Sequence, residues 1–206
     1  MMIDALHTLD QHITLAINQF HSEWWDAFWQ FMSDVQIWFP LYLIVVIMLF
    51  VHLGWKKALI VTLSLILTIA VTDQIANLIK DSVSRLRPCY DYNMVSGGLN
   101  LLEKRSGYYG FFSGHSANAF GFAAASLIGL RNDRRQRFIG YASMIYVWAT
   151  LVALSRVFVG KHYFGDIVVG ALIGSAIGVC FALAARYLVN RIQPVSSDET
   201  SSVAGR

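Results

Sequence analysis

Polar residues gather where two long apolar runs meet, in the stretch Ser155-Arg156-Val157-Phe158-Val159-Gly160-Lys161-His162-Tyr163-Phe164-Gly165-Asp166. If a helix resumes near His162, Asp166 lies four residues on and on the same face, where its carboxylate can accept the imidazole Nδ1–H. That bond fixes the tautomer and leaves Nε2 free to attack an electrophile. Arg156, just inside the preceding apolar segment, offers a planar fork of donors matched to a phosphoryl group. A His-x-x-x-Asp pair alone is commonplace on solvated faces, so the weight falls on two further clusters. One is Lys80 with Arg87-Pro88; the other is Ser113-Gly114-His115. A multiply charged phosphate needs several cationic donors and aligned amides, and Lys80, Arg87, Arg156 and the N–H groups near Ser113 and Gly114 could supply them. His162 would then attack phosphorus in line, with His115 protonating the departing oxygen and later activating water. The sequence has no cluster of carboxylates for two metals, so the expectation is a metal-independent reaction without a cofactor.

The elements that must position these residues are membrane spans. The chain has 206 residues, 56% of them hydrophobic and only 14% charged, with a mean hydropathy of +0.50. This is too apolar for an ordinary soluble domain and implies an all-α integral membrane protein. The formal charge of +3 is carried in short clusters between apolar runs, not as a basic stripe, which argues against nucleic-acid binding. Five spans are expected, over Gln36 to Gly54, Ala58 to Ile79, Ser113 to Leu130, Phe138 to Leu154 and Ile167 to Ala185. Residues 1–35 alternate polar and apolar positions and end in Trp24, Trp25, Phe28, Trp29 and Phe31. They lack a basic stretch followed by an apolar core, so an amphipathic helical segment in the membrane interface is expected in place of a cleaved signal. Its histidines, His7, His12 and His21, read as scattered and solvated. The phosphatase-like transmembrane domain would occupy 36–190, with a disordered polar tail over 191–206. Cys89 and Cys180 have neither disulfide nor metal-ligand spacing.

Inside the second expected span Asp73, Asn77 and Lys80 share a helix face that grows polar toward Lys80. Residues 81–112 form a long polar connection with breakers at Pro88, Gly97, Gly98, Gly107 and Gly110, and loops of that length usually carry function. Ser113 suits an N-cap, and the free amides behind it form an anion site. Gly170, Gly174 and Gly178 recur every fourth residue in the last span, a pattern for close helix packing. With five spans, Lys56/Lys57, the Arg131 to Arg137 turn and Arg186/Arg191 fall on one side, read as cytoplasmic. The polar connection, the start of the third span and the His162 region then share the outer side.

The three clusters together resemble the type 2 phosphatidic acid phosphatase superfamily, lipid phosphatases related to vanadium haloperoxidases. Its pattern is Lys, six residues, Arg-Pro; then Pro-Ser-Gly-His; then Ser-Arg, five residues, His, three residues, Asp. Here it is met by Lys80 with Arg87-Pro88, by Phe112-Ser113-Gly114-His115 and by Ser155-Arg156 with His162 and Asp166. Phe112 departs from the usual proline, and an altered loop geometry with retained catalysis is expected. The resemblance implies His162 as nucleophile, Asp166 as its orienting partner, His115 as general acid, and Lys80, Arg87, Ser113, Gly114 and Arg156 as phosphate ligands. It also implies a membrane lipid phosphate as substrate, in a bacterial inner membrane with the site facing outward. Undecaprenyl diphosphate ranks first, because Arg85, Lys104 and Arg105 could neutralise a second phosphate. Phosphatidylglycerophosphate and lipid A are the alternatives, and a non-enzymatic lipid phosphate transporter or scaffold is the reading from another class.

Overall fold

A computed structural model describes residues 2–192, so the polar tail expected at 191–206 lies, from 193 onward, outside the described residues. Among the described residues there are eight α-helices and no strand. The interfacial segment expected over 1–35 is two helices, α1 (Met2–Asn18) and α2 (Glu23–Ser33), separated by a short break before the Ser22 cap. A 3₁₀ turn, Val35–Trp38, leads into α3 (Phe39–Leu53), and Gly54 alone separates α3 from α4 (Trp55–Val83). That sharp reversal uses φ +72°, a region glycine enters without a Cβ penalty. After the short α5 (Tyr92–Ser96) come α6 (Gly114–Leu130), α7 (Ile139–Phe158) and α8 (Phe164–Arg191).

Four described segments are long and apolar enough to cross a membrane: Val35–Leu53, Trp55–Val83, Ile139–Phe158 and Phe164–Arg191. The fifth expected span, α6, has 17 residues, about 26 Å at 1.5 Å per residue and the lower end of spanning length. It is rich in Gly, Ala and Ser and almost wholly enclosed by α4, α7 and α8, so it need not present an apolar surface to lipid. By contrast α4 and α8, with 29 and 28 residues, reach about 42–44 Å and outrun a hydrocarbon core of about 30 Å. The excess length of α4 extends the second span past its expected end at Ile79 and places Lys80 within the helix, at one end of the bundle.

The α6–α8 seam is built on glycine. A Cβ at Gly170, Gly174 or Gly178 would lie 2.6, 1.9 or 2.3 Å from the backbone oxygens of Ser113, Ala117 and Gly121, respectively. Backbone-to-backbone approach of this kind is how small residues drive helix association in lipid, as the spacing implies. It also fixes the starts of α6 and α8, which carry His115 and Asp166, side by side. The opposite end of the bundle is tied by His52 Nδ1 with Asp133 Oδ2 at 3.1 Å and by Arg186 donating to the Ile128 carbonyl at 3.0 Å. The basic connections expected to share a side therefore do so.

Candidate active site

The turn between α7 and α8 presents His162. Val159 closes α7, Gly160 takes φ +77°, and the amides of Lys161 and His162 both return to the Arg156 carbonyl at 3.0 and 3.1 Å. A Cβ on Gly160 would meet the Asn100 carbonyl at 2.9 Å, so this close approach needs glycine. Helix termini leave backbone groups unpaired, and here α1 supplies the partners. Asn18 donates to the carbonyls of Val157 and Phe158 at 3.0 and 2.9 Å. At the start of α8, Thr14 Oγ1 accepts from the Phe164 amide at 3.0 Å and Asp10 Oδ1 from the Gly165 amide at 2.8 Å. Asp166 Oδ2 accepts from the Tyr163 amide at 3.1 Å, which turns this carboxylate back toward His162.

The His162 Nδ1 to Asp166 Oδ2 separation is 3.5 Å, and both side chains are buried. The two side chains thus lie side by side, a few tenths of an ångström beyond the usual hydrogen-bond length, although the helix expected to resume near His162 begins only at Phe164 and His162 stands in the turn before the Tyr163 cap. Burial pushes the His162 imidazole well below its ordinary value, helped by Arg156, Arg87 and Lys80. A neutral imidazole is the form that can act as a nucleophile.

Of residues 81–112, expected as a long polar connection, the first three complete α4 and the rest fold back on themselves. Leu86 and Tyr109 form an antiparallel bridge, the Arg87 amide donates to Tyr108 and the Gly110 amide to Arg85, each at 2.9 Å. This brings Gly110 against the dyad: a Cβ there would meet Arg87 Cγ at 3.0 Å, Asp166 Oδ2 at 3.4 Å and His162 Nδ1 at 3.5 Å. Arg87 is steadied by Nε donating to the Tyr109 carbonyl at 3.1 Å. Phe112, in the place of the usual proline, is fully buried against Ala76 and Ala117.

At the start of α6, Ser113 is an N-cap whose Oγ accepts from the Ser116 amide at 3.4 Å, while its own amide donates to the Asp166 carbonyl at 3.1 Å. Its side chain is engaged in starting the helix and is fully buried. Gly114 and His115 are the residues of this motif that open into a cavity of about 470 Å³, together with Lys80, Arg87, Arg156 and His162. The cavity continues between helices along Trp38, Phe39, Tyr42 and Ile69, so a basic chamber grades into an apolar one. Asp73 lies at that boundary and accepts from Asn118 Nδ2 at 2.8 Å. A polar mouth, lined by Arg87, Glu103, Ser106, His115 and Arg156, opens on the other side. A larger recess of about 930 Å³ lies between α1 and the segment around Arg85 to Asn93; neither His115 nor His162 lines it.

Two acidic partners were not legible in the spacing. Glu103 binds Arg156 through both carboxylate oxygens, at 3.0 and 3.3 Å, and also meets Ser33 of α2. Burial would raise the Glu103 carboxyl, but Arg156 and the Ser33 hydroxyl outweigh it and hold it below the ordinary carboxylate value. The second is Asp10, which accepts from Arg85 at 2.6 Å. Arg85 also donates to Asp166 Oδ1 at 2.6 Å. The expectation that Arg85 meets a second phosphate is therefore corrected: two carboxylates hold it behind the dyad. Nor is Lys161 a cation at the chamber, because its ammonium donates to the Lys104 carbonyl and to Ser106 Oγ. Arg105 sits over the Tyr90 ring at 5.7 Å. His7, expected to be solvated, lies 3.1 Å from Arg85, whereas His12 and His21 are exposed.

The chain is 34% identical over 194 residues to the lipid A 4'-phosphatase of Bacteroides thetaiotaomicron, an alignment covering 93% of this chain and 84% of that protein. It is 26% identical over 171 residues to the lipid A 4'-phosphatase of Porphyromonas gingivalis, covering 82% and 70%. Its fold matches the crystal structure of a transmembrane PAP2-type phosphatidylglycerolphosphate phosphatase from Bacillus subtilis with a TM-score of 0.65 at 21% identity, over 93% of this chain and 89% of that one. Residues 57–192, which hold all three motifs, match the model of the PAP2 superfamily. The chain belongs to that superfamily and is a membrane lipid phosphatase of the PAP2 type.

Proposed function

We propose that the protein removes a phosphate from lipid A, with the 4'-phosphate as the preferred group. The observation that carries the phosphatase chemistry is the single chamber in which His162, His115, Lys80, Arg87 and Arg156 meet at the head of an apolar channel. That arrangement suits an amphiphile whose phosphate enters the basic end while its acyl chains remain among apolar side chains and lipid. The choice of lipid A is supported by the similarity to two lipid A 4'-phosphatases over most of the chain. Undecaprenyl diphosphate, the first expectation, loses support because Arg85 is already bound by Asp10 and Asp166.

In this mechanism Lys80, Arg87, Arg156 and the amides at Gly114 hold the phosphate oxygens. His162 Nε2 attacks phosphorus, the phosphorus–oxygen bond to the sugar breaks, and His115 gives its proton to the departing sugar oxygen. Asp166 stabilises the cationic imidazole of the phosphohistidine. Water, deprotonated by His115, then displaces His162 and releases inorganic phosphate. Charge building on the equatorial oxygens is met by the Lys and Arg groups already in place. The proposed orientation puts this end at the outer face of a bacterial inner membrane, with Lys56, Lys57 and the Arg131 to Arg137 turn inside, following the bias of short basic connections.

The test is phosphate release by the purified full chain in EDTA from lipid A, phosphatidylglycerophosphate and undecaprenyl diphosphate, with mass spectrometry locating the phosphate lost. Lipid A should be the fastest substrate, losing its 4'-phosphate, and His162→Ala should be inactive on all three. A higher kcat/KM on undecaprenyl diphosphate would overturn the substrate reading. Activity retained by His162→Ala would overturn the mechanism.

A further inference from the structure

A run of charged groups connects α1 to the catalytic turn, and phosphate binding makes no use of it. Asp166 has no exposed side-chain surface. Its Oδ2 faces His162 and receives the Tyr163 amide, while Oδ1 receives Arg85 Nη1 at 2.6 Å. The other end of the same guanidinium donates to Asp10 Oδ2 at 2.6 Å and lies 3.1 Å from His7 Nδ1. Its carbon sits 3.9 Å from the centre of the Tyr163 ring, and the Tyr163 hydroxyl donates to Asp91 at 2.6 Å. Asp10 closes the loop, since its Oδ1 accepts the amide of Gly165, the residue before Asp166. There is no slack here: a Cβ on Gly165 would fall 2.8 Å from Asp10 Oδ2. The Arg85 and Asp10 side chains are 18% and 14% exposed.

A carboxylate buried without a cation is costly, and an unanchored one can rotate off the imidazole it must orient. Arg85 supplies both the charge and a fixed plane, because a guanidinium bonded to two carboxylates cannot turn without breaking one of them. Asp10 lies on α1, outside residues 57–192 matched by the family model. We infer that Arg85 and Asp10 are positioning residues for the His162–Asp166 dyad, which makes α1 a working part of the catalytic apparatus as well as a membrane-surface element. The inference rests on His162 acting as the nucleophile.

The experiment uses the full chain in detergent with p-nitrophenyl phosphate, which requires no lipid recognition, and His162→Ala as reference. Arg85→Ala should lower kcat about 10- to 100-fold per folded molecule, the scale of losing an orienting outer-shell partner, with KM within about twofold. Inhibition by inorganic phosphate should be unchanged, because Lys80, Arg87 and Arg156 remain. Arg85→Lys should recover part of the loss, since an ammonium can reach Asp166 without bridging to Asp10. Asp10→Asn keeps an acceptor for the Gly165 amide and removes the charge from Arg85; it should slow kcat several-fold alone and add nothing in the Arg85→Ala background. Loss confined to thermal stability, with kcat per folded molecule intact, would overturn the inference. So would a rise in KM and in the phosphate inhibition constant with kcat unchanged. Activity in His162→Ala would instead overturn the nucleophile assignment beneath it.

Discussion

Gly174→Ala tests whether the α6–α8 seam sets the catalytic geometry. Gly174 lies in mid-helix, far along α8 from the site, yet an ideal Cβ there would stand 1.9 Å from the Ala117 carbonyl oxygen. A comfortable carbon–oxygen contact is about 3.3 Å, so the two helices must part locally by more than about 1 Å. Gly170 and Gly178 sit in the same seam with backbone oxygens at 2.6 and 2.3 Å from their Cβ positions, so the separation cannot be absorbed by rotating a side chain. It is transmitted toward the starts of α6 and α8, where His115 and the His162–Asp166 pair face each other. Overpacking of this kind costs about 1–3 kcal/mol, several degrees in Tm for a chain of this size. A displacement of about 1 Å between reacting groups can cost on the order of 100-fold in rate. The assay is kcat on lipid A per folded molecule together with a thermal unfolding midpoint. Gly140→Ala on α7 is the control, because nothing lies within 4 Å of its Cβ position. Wild-type kcat in Gly174→Ala would refute the coupling of seam to site, and an unchanged Tm would refute the steric reading itself.

The electrostatics carry the remaining predictions. Burial and the cations Arg156, Arg87 and Lys80 depress the His162 imidazole below its ordinary 6.5, so the acid limb of kcat/KM governed by this residue should fall below pH 6.5. Arg87→Gln should move that limb upward; ionisation of the substrate phosphate is common to both enzymes, and an unmoved limb would refute the assignment. The same depression has a stability consequence: the unfolded chain binds a proton the folded one refuses, so this contribution is present above about pH 6.5 and is lost as pH falls. Glu103→Gln should destabilise the protein by about 1–3 kcal/mol, because Arg156 loses its charged partner in a buried setting. It should also tighten inhibition by inorganic phosphate, because Glu103 competes with phosphate for the same guanidinium. Weaker phosphate binding would show that Glu103 holds Arg156 in its binding pose.

What the sequence determined by itself is what depends on local composition and period. The apolar runs specified membrane helices because a segment in lipid must satisfy its own backbone and offer apolar side chains, whatever packs beside it. Helical spacing suggested the pairing of His162 with Asp166, yet α8 begins only at Phe164 and it is the turn at the Tyr163 cap that sets the carboxylate against the imidazole; Gly170, Gly174 and Gly178 could be read as a seam because four residues is about one helical turn. The N-cap role of Ser113 was equally local. The tertiary structure alone decided which charges meet. Arg85 and Asp10 are 75 residues apart and Arg156 and Glu103 are 53 apart, and no period in the chain connects them. A cation free to bind phosphate and a cation already held by a carboxylate look alike in sequence, which is why Arg85 was expected to meet a second phosphate and is instead held by Asp10 and Asp166. The amphipathic pattern of residues 1–35 was legible as surface-seeking, but its polar face has two possible partners, water or the ends of other helices. Only the packed fold shows Asn18, Thr14 and Asp10 taking up the orphan backbone groups around the His162 turn, because those groups become available only where α7 ends and α8 begins.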